Sequence, residues 1–488
     1  MNLKHIGIKA FEKTEEFFDG ILDNIAGKDN RLKAGYSKPS KLMSGRNKGF
    51  SVTGNKFLTV EQSRNGMTVV APTGAGKTTT IIFPSIINIA TSKDGGSLMV
   101  NAPDKEAIKL KPFLLQQGYQ VKVIDFGNKH GSIYYNPLQR IRTNADVMKV
   151  ASMLVRTTSK DSDFWTLSAT QLIALCIHHL RATEPRIHQH LAQVFKILEI
   201  LSGEPEVIDS YFADTTPKHL WRKFLSIMGN SDNTRASIIS SAIASLSFIG
   251  EDEILSDLTS VDTFDFDLLR REKTAVFLTC PLGDMQYYST ILSIFWEQYF
   301  SHVFRNLPNQ NDKDVFIMLD ELSSLHLPNL ANISSVARKF KCSLLSVLQS
   351  ENQLYNNYGI HNGKVILNNA NVKIYFTGLS DESRSISDTL GMFEYEDENG
   401  SRRVRSLMMP NEVRTMSPDQ VLIVPSGMEP IKVKAVPFYK QSKMVRYMDM
   451  EAPRGLVPYD LSYTAQYIDL DQYREEDTNQ RPQDNEVQ

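Results

Sequence analysis

Short runs of apolar residues alternate with segments of helical periodicity along most of this chain. Runs of this kind predict buried strands. The predicted strands are Met67–Ala71, Ser97–Val100, Gln120–Phe126, Ala275–Leu278, Val315–Leu319, Ser343–Leu348, Val372–Phe376, Val421–Val424 and Ile431–Ala435. Two shorter strands are predicted in the lead-in, at Phe50–Val52 and Phe57–Val60. Strands separated by helical segments are typical of an α/β fold with a mostly parallel sheet.

The pattern changes between residues 144 and 257, where helical periodicity dominates and strand signals nearly vanish. Helices are predicted at Phe164–Leu180 and Thr234–Phe248, with Trp165 in the core. We therefore predict an all-α domain, 144–257, inserted into an α/β domain made of 46–143 and 258–451. Residues 1–45 are predicted to form an N-terminal amphipathic helix and a lead-in. The polar, acidic tail, 452–488, is predicted to be disordered.

Composition narrows the class of protein. The 488 residues are 41% hydrophobic and 23% charged, which is typical of a soluble globular protein. The formal net charge of −2 means that contact with nucleic acid would need a local basic stripe or an assembled ring. Three cysteines without metal spacing fit the reduced thiols of a cytoplasmic protein. No run reaches the roughly 18 apolar residues that a membrane-spanning helix needs.

The stretch MTVVAPTGAGKTTT, residues 67–80, has the strand, glycine turn and helix order of a phosphate-binding P-loop. Gly74 and Gly76 allow backbone N–H groups to curl around an anion at a helix N-terminus. Lys77 can reach the β- and γ-phosphates of ATP, and Thr78 can offer its hydroxyl to Mg²⁺. Ala71 stands where the strict pattern has its first glycine. Pro84 falls about two turns into the predicted helix Thr78–Ala90, where it should kink the helix. The predicted nucleotide-binding residues are Thr73, Gly74, Ala75, Gly76, Lys77, Thr78, Thr79 and Asp320.

A second apolar run, Val315–Leu319, ends in Asp320 and Glu321, which is a Walker B arrangement. We predict that Asp320, with Thr78, holds Mg²⁺ and that Glu321 acts as the general base on the attacking water. Pairs of acids after buried strands are common in α/β proteins. The P-loop in the same chain makes the signal strong.

Two further residues have both a functional and an ordinary interpretation. Arg338 lies in a predicted helix. On sequence alone, a solvated helix arginine is the favoured interpretation. The functional alternative is an arginine finger that acts on the γ-phosphate in a neighbouring subunit. Gln349 follows a predicted strand and could sense the γ-phosphate or simply be a solvated turn residue. Ordinary roles are favoured for the histidines at 178, 179, 188 and 190 over a metal site. For the basic run Arg402, Arg403 and Arg405, a solvated loop is favoured over contact with phosphate in a pore.

The motifs APTGAGKT and MLDELSSL, in this order and spacing, resemble those of the type IV secretion coupling proteins, the TraG/TraD-like DNA-transfer ATPases. Further similar blocks are NPL at Asn136–Leu138, DFWTLSATQL at Asp163–Leu172, TRASIISSAIASLSFI at Thr234–Ile249, VLQSENQLYNNYG at Val347–Gly359 and PNEVRTMSPDQVLIV at Pro410–Val424. The resemblance covers roughly residues 49–439. The loop after the second strand departs from the family's Asp-Pro-Lys-Gly-Glu run and reads Ala102-Pro103-Asp104-Lys105-Glu106.

The resemblance implies a RecA-like motor domain with an inserted all-α domain, assembled as a homo-hexamer that moves single- or double-stranded DNA through its centre. It places Arg338 at the family's arginine-finger position and Gln349 at its motif glutamine. Implied cofactors are ATP and Mg²⁺. Implied partners are a relaxase with its DNA and the ATPases or membrane components of a type IV secretion channel. The family usually begins with membrane-spanning helices, and none is predicted in this sequence. We therefore expect a cytoplasmic protein that either reaches the inner face of the membrane through a partner or acts in the cytoplasm on a mobilised element.

Two rival functions remain open at the level of sequence. One is a cytosolic FtsK-like or HerA-like DNA pump without a secretion role. The other is a non-hydrolysing receptor that docks protein cargo on its helical domain. Lys77, Asp320 and Glu321 argue against the second rival, because a pure adaptor does not need them.

Overall fold

The computed structural model describes residues 33–93, 95–102, 105–156, 164–453 and 462–474. The predicted N-terminal amphipathic helix lies outside these ranges. Within them, no helix is both long and apolar enough to cross a bilayer. The strands are β1 Met67–Val70, β2 Ser97–Asn101, β3 Gln120–Asp125, β4 Thr274–Thr279, β5 Val315–Leu319, β6 Cys342–Leu348, β7 Val372–Tyr375, β8 Met392–Glu396, β9 Arg402–Ser406, β10 Gln420–Pro425 and β11 Ile431–Lys434.

The helices of the described ranges occur around and between these strands. They are α1 Val60–Arg64, α2 Phe83–Ala90, α3 Lys111–Gln116, α4 Asn144–Arg156, α5 Phe164–Thr183, α6 Leu191–Gly203, α7 Pro205–Thr215, α8 Lys218–Met228, α9 Asp232–Gly250, α10 Glu253–Leu258, α11 Leu268–Arg271, α12 Met285–Val303, α13 Leu330–Val336, α14 Glu351–Asn369, α15 Ser383–Leu390, α16 Pro410–Arg414 and α17 Ser442–Met448.

Nine strands form one sheet in the order β11-β10-β7-β1-β6-β5-β2-β4-β3. Every pair from β7 to β3 in that order is parallel, and β10 and β11 add an antiparallel edge. The central strands are buried along their whole length, because helices cover both faces of a parallel sheet. This arrangement confirms the predicted α/β fold with a mostly parallel sheet.

The chain between β3 and β4 is helical, from α4 to α10, and contains no strand within its described residues, 144–156 and 164–258. The predicted helices at Phe164–Leu180 and Thr234–Phe248 correspond to α5 and α9. Apolar residues of this helical region share one continuous core with a face of the sheet. The helical insertion is therefore confirmed, while the domain boundaries remain a prediction.

Two local predictions in the helical region and near the P-loop need correction. Trp165 is not in the core: 39% of it is exposed at the start of α5, next to the exposed Phe164. Pro84 was expected to kink one continuous α-helix after the P-loop. Instead, Thr78–Ile82 is wound as a π-helix, and the α-helical part begins at Phe83 with the proline in its first turn, where the missing N–H costs little.

The lead-in also differs from its prediction. Phe57 forms only isolated bridges, to Ser44 and Ser51, and Val60 begins α1 rather than ending a strand. The cause is a capping box, in which Thr59 and Gln62 satisfy each other's backbone N–H groups. The basic run at 402–405 was interpreted as a loop but forms β9 of a two-stranded hairpin with β8.

The predicted disorder of the tail is wrong for residues 462–474. This segment lies against the helical region, with Ala465 and Leu470 buried. Its backbone bonds to side chains of that region, which sequence periodicity does not record. Residues 454–461 and 475–488 lie outside the described ranges.

Candidate nucleotide site

The loop between β1 and the following helix is shaped by two glycines. Gly74 and Gly76 have φ values of +78° and +88°, a region that residues with a Cβ atom rarely adopt. At Gly74 an added Cβ would meet nothing within 4 Å, so the requirement there is conformational rather than steric. The loop therefore has the open, inward-curled backbone that an anion needs at a helix N-terminus.

Lys77 folds back over this loop. Its Nζ donates to the backbone oxygen of Ala71 at 3.1 Å, and the side chain is half-buried. Thr79 donates from its hydroxyl to the backbone oxygen of Gly76 at 3.1 Å, which ties the first helical turn to the glycine turn. The lysine is thus held at the loop by one neutral acceptor, which a phosphate oxygen can outcompete because it carries charge.

Asp320 lies beside the P-loop helix. The Thr78 hydroxyl and Asp320 Oδ2 are 3.5 Å apart. Both are oxygen donors of the kind that Mg²⁺ prefers, so these two residues fit a shared magnesium ion. The structure thereby brings together the two side chains predicted to hold the metal.

Glu321 follows at the end of β5 in a left-handed conformation, φ +61°, which is uncommon for a residue with a side chain. Its Oε2 accepts from the Gln349 side-chain amide at 2.6 Å, and its Oε1 accepts from the Ser323 hydroxyl. The Thr73 hydroxyl donates to Gln349 Oε1 at 3.3 Å. A chain of hydrogen bonds therefore links the P-loop, through Gln349, to the predicted general base.

Arg338 lies elsewhere. It precedes the amino end of β6, whereas the P-loop and Gln349 lie at the carboxyl ends of β1 and β6. The seven residues of β6 separate the two edges by roughly 20 Å. The Arg338 side chain is 61% exposed, and its Nη2 lies 3.8 Å from Glu61 Oε1. The structure does not bring Arg338 to the nucleotide site of its own chain.

Two residues at this site were missed by sequence reasoning. Asn101 is buried at the end of β2, and its Nδ2 donates to the Asp320 backbone oxygen at 3.0 Å. Ser323 donates to Glu321, as described above. The available signal for Asn101 was a polar residue ending a buried apolar run, which is the same signal that identified Asp320.

Two of the four histidines considered above, His179 and His190, have structural partners. His190 caps the N-terminus of α6 through its Nδ1, and its Nε2 lies 2.8 Å from the Gln466 backbone oxygen. His179 stacks on Phe212, with ring centroids 4.1 Å apart, and its Nδ1 lies 2.7 Å from the Thr216 hydroxyl. Burial lowers the pKa of His179 to about 4 and also lowers that of His190. Burial therefore keeps both imidazoles neutral at physiological pH.

Known proteins resemble this chain over most of its length. "Protein VirD4" of Rhizobium radiobacter is 22% identical over 415 residues, which cover 78% of this chain and 58% of that protein. "Conjugal transfer protein TraG" of Agrobacterium fabrum (strain C58 / ATCC 33970) is 22% identical over 425 residues, covering 77% of this chain and 60% of that protein. The chain thus spans about three fifths of the length of the curated relatives it matches.

A solved structure of the plasmid coupling protein TrwB in complex with ADP and Mg²⁺ has the same fold. The two structures align with a TM-score of 0.65 and 17% sequence identity, and the alignment covers 84% of this chain and 95% of that one. The family model described as "Type IV secretory system Conjugative DNA transfer" matches residues 24–455. With that match over most of its length, the chain belongs to the conjugative DNA-transfer family of the type IV secretory system.

Proposed function

We propose that this chain is an ATP-driven DNA translocase that couples a relaxase-bound conjugative DNA to a type IV secretion channel. The observation that carries the proposal is the convergence of Lys77, Thr78, Asp320, Glu321 and Gln349 at one edge of the sheet. Family membership supports the secretion role over a cytosolic pump. Placement at the inner face of the membrane through a partner is part of the same proposal.

Nucleotide binding follows from the loop. The triphosphate of ATP would lie against the backbone N–H groups of residues 73–78, and Lys77 would exchange the Ala71 oxygen for a β- or γ-phosphate oxygen. The TrwB structure with ADP and Mg²⁺ supports this assignment by similarity of fold. Thr78 and Asp320 would hold magnesium, whose charge, when bound, offsets that of the phosphates.

Hydrolysis needs Glu321 to be free to accept a proton from water. In the structure, its two carboxylate oxygens accept from Gln349 and Ser323, which fix the carboxylate in place and occupy part of its accepting capacity. A γ-phosphate at the P-loop would compete for Thr73 and Gln349, which releases Glu321 and lets it orient the attacking water. The hydrogen bonds of Gln349 would therefore differ between the ATP-bound and the nucleotide-free chain.

Movement of DNA would need a ring of subunits. Arg338 lies at the edge of the sheet opposite its own nucleotide site, so it could stabilise transition-state charge only at the site of a neighbouring chain. We therefore propose that the active form is a homo-hexamer, in which assembly controls turnover. Because each chain has a net charge of −2, the ring would have to present a local basic surface towards its centre to bind DNA.

The test is ATP turnover of the purified chain with and without DNA. We expect DNA to stimulate turnover, because assembly on DNA completes the sites between neighbours. Turnover that DNA leaves unchanged would contradict the motor. A chain that binds ATP but never hydrolyses it would favour the docking-receptor alternative.

A further inference from the structure

Residues 462–474, which we call the strap, run across the helical region. Regular structure within them is limited to a single 3₁₀ turn, Asp471–Tyr473. Only Ala465 and Leu470 are buried, and most of the other strap residues are exposed. Ile468 and Tyr473 are partly buried against the core, and the rings of Tyr463, Tyr467 and Tyr473 contact those of Tyr134, His190 and Tyr211.

In addition to these side-chain contacts, hydrogen bonds hold the middle of the strap by its backbone. Its N–H groups donate to side chains at three places: Tyr463 N to the Tyr134 hydroxyl at 3.2 Å, Ala465 N to Asp257 Oδ1 at 2.8 Å, and Ile468 N to Gln193 Oε1 at 2.9 Å. Its Gln466 oxygen lies 2.8 Å from His190 Nε2. We call the surface formed by Tyr134, His190, Gln193 and Asp257 the strap groove.

The protonation of His190 fits this arrangement. Its Nδ1 accepts from the Gln193 backbone N–H at 3.1 Å, so the neutral ring carries its proton on Nε2 and donates it to the Gln466 oxygen. The groove thus offers acceptors to N–H groups and a donor to a carbonyl. That is the pattern by which a protein binds the backbone of an extended peptide.

The four groove side chains are almost completely buried: none is more than 2% exposed. Buried polar side chains need hydrogen-bond partners, and these four find partners in the backbone of the strap. A groove that reads the backbone tolerates many sequences, because each residue of a peptide presents the same N–H and C=O groups. Its selectivity would come from the two buried positions, a small residue and a leucine five positions later.

The strap does not satisfy the groove completely. Gln193 Nε2 is buried and has no hydrogen-bond partner among the described residues. A different extended segment could offer it a carbonyl or side-chain oxygen that the strap does not. The outer end of the strap is held by exposed contacts, Arg474 with Glu204 and the Tyr473 hydroxyl with Asp214, which water weakens.

We propose that the strap groove is a docking site for an extended peptide segment of a partner protein, with a small residue and a leucine at the spacing of Ala465 and Leu470. The strap occupies the site in cis and competes with the partner. The groove lies on the helical region and uses none of the nucleotide-site residues, so this inference does not depend on ATP turnover.

A labelled peptide tests the proposal in the full-length chain. The probe is a fluorescein-labelled peptide with the sequence of residues 462–474, followed by fluorescence anisotropy. Leu470→Asp places a charge at a buried anchor and should release the strap, so we expect this variant to bind the probe about tenfold or more tighter than the unaltered chain does. The matched control is Gln472→Asp, which adds the same charge at an exposed strap position and should leave binding weak.

Peptides with altered sequences distinguish a site that can bind a partner from a site that binds only the strap. A peptide that keeps Ala465 and Leu470 but replaces Ser462, Thr464, Asp469 and Gln472 should bind within about threefold of the probe, since its backbone is unchanged. A peptide with Ala465→Trp should bind about tenfold or more weakly, because the larger side chain does not fit a buried position. Binding of the native sequence alone would overturn the proposal and leave only an exchange of straps between copies of this chain.

Hydrogen exchange provides a second test if Leu470→Asp does not fold. In the unaltered chain, the amides of Ala465 and Ile468 should be protected by their bonds to Asp257 and Gln193. Unlabelled peptide at about 1 mM should speed their exchange about fivefold by displacing the strap. Unchanged protection at that concentration would show that the strap is permanent, and the proposal would be wrong.

Discussion

The side-chain amide of Gln349 donates to the Glu321 carboxylate at 2.6 Å, across the carboxyl ends of two neighbouring parallel strands. The amide oxygen of the same glutamine accepts from Thr73 in the P-loop at 3.3 Å. One side chain therefore contacts both the loop proposed to hold the phosphates and the carboxylate proposed to activate water. The predictions for the nucleotide site follow from this position.

Glu321→Gln should abolish ATP turnover while nucleotide binding is retained. An amide cannot accept the proton of the attacking water, and loss of a general base reduces rates by about 100-fold or more. Turnover and the affinity for a fluorescent ATP analogue should be measured on the same preparation. Glu398→Gln, an exposed carboxylate in the turn between β8 and β9, serves as the control and should behave like the unaltered chain. Normal turnover in Glu321→Gln would remove the motor proposal.

Gln349→Ala should lower the ratio of DNA-stimulated to basal ATP turnover towards one. The substitution removes the link between Thr73 and Glu321 but keeps both residues. Thr73→Val removes the same link from the P-loop side and should act in the same direction. A full DNA response in both variants would show that the nucleotide state is not transmitted through this glutamine.

Lys77→Ala should weaken ATP binding about 10- to 100-fold, as expected for losing a hydrogen bond between charged groups worth about 1.5–3 kcal/mol. Turnover should be lost as well. The fold should survive, because the lysine donates only to the Ala71 oxygen at the edge of the loop. Isothermal titration with ATP and a melting curve check the two parts, with the exposed Lys48→Ala as the control. Unchanged affinity would place the triphosphate elsewhere.

Arg338→Ala should be inactive alone and partly rescued in mixed rings with Glu321→Gln. In its own chain the arginine lies at the opposite edge of the sheet from the P-loop, so we expect any effect on turnover to occur at the site of a neighbour. A mixed ring contains some sites with both an intact Glu321 and an intact Arg338. ATP turnover of the two variants, mixed at several ratios, gives the measurement. Well-formed mixed rings without any rescue would count against action between subunits.

The sequence was sufficient to predict the elements whose burial leaves a pattern of apolar residues. The run Val315–Leu319 was predicted with the bounds that the structure has, because a central parallel strand is buried on both faces and therefore reads as continuously apolar. The P-loop was located in the same way, by a buried strand and two glycines. Parallel strands end at one edge, so the sequence also placed the P-loop, Asp320, Glu321 and Gln349 at the same edge, while their individual contacts depend on strand order.

Elements without such a pattern were missed. The hairpin of β8 and β9 is mostly exposed and charged, so its residues look like a loop. The strap fully buries only Ala465 and Leu470, and its remaining contacts are backbone hydrogen bonds, ring contacts and exposed polar pairs, which leave no periodic signal. Asn101 is a single polar residue whose contact with Asp320 depends on which strands are neighbours, and strand order cannot be read from one sequence.

The stability of the helical region should depend on pH through His179. Burial lowers the pKa of its imidazole to about 4, against about 6.5 in the unfolded chain. As the pH falls below 6.5, the unfolded state takes up a proton that the folded state resists, so stability is lost down to pH 4 and not further. Between pH 7.5 and pH 5 the loss from this residue should be about 2 kcal/mol.

Urea denaturation, followed by far-UV circular dichroism at both pH values, measures this loss. His179→Gln keeps a polar side chain beside Thr216 but removes the titrating ring, so its stability should fall less between the two pH values than that of the unaltered chain. The exposed His219→Gln is the matched control and should keep the full dependence. Because His178 and His190 also have pKa values lowered by burial, His179→Gln should reduce the dependence rather than abolish it. Parallel pH curves for His179→Gln and the unaltered chain would show that this imidazole does not control the acid sensitivity.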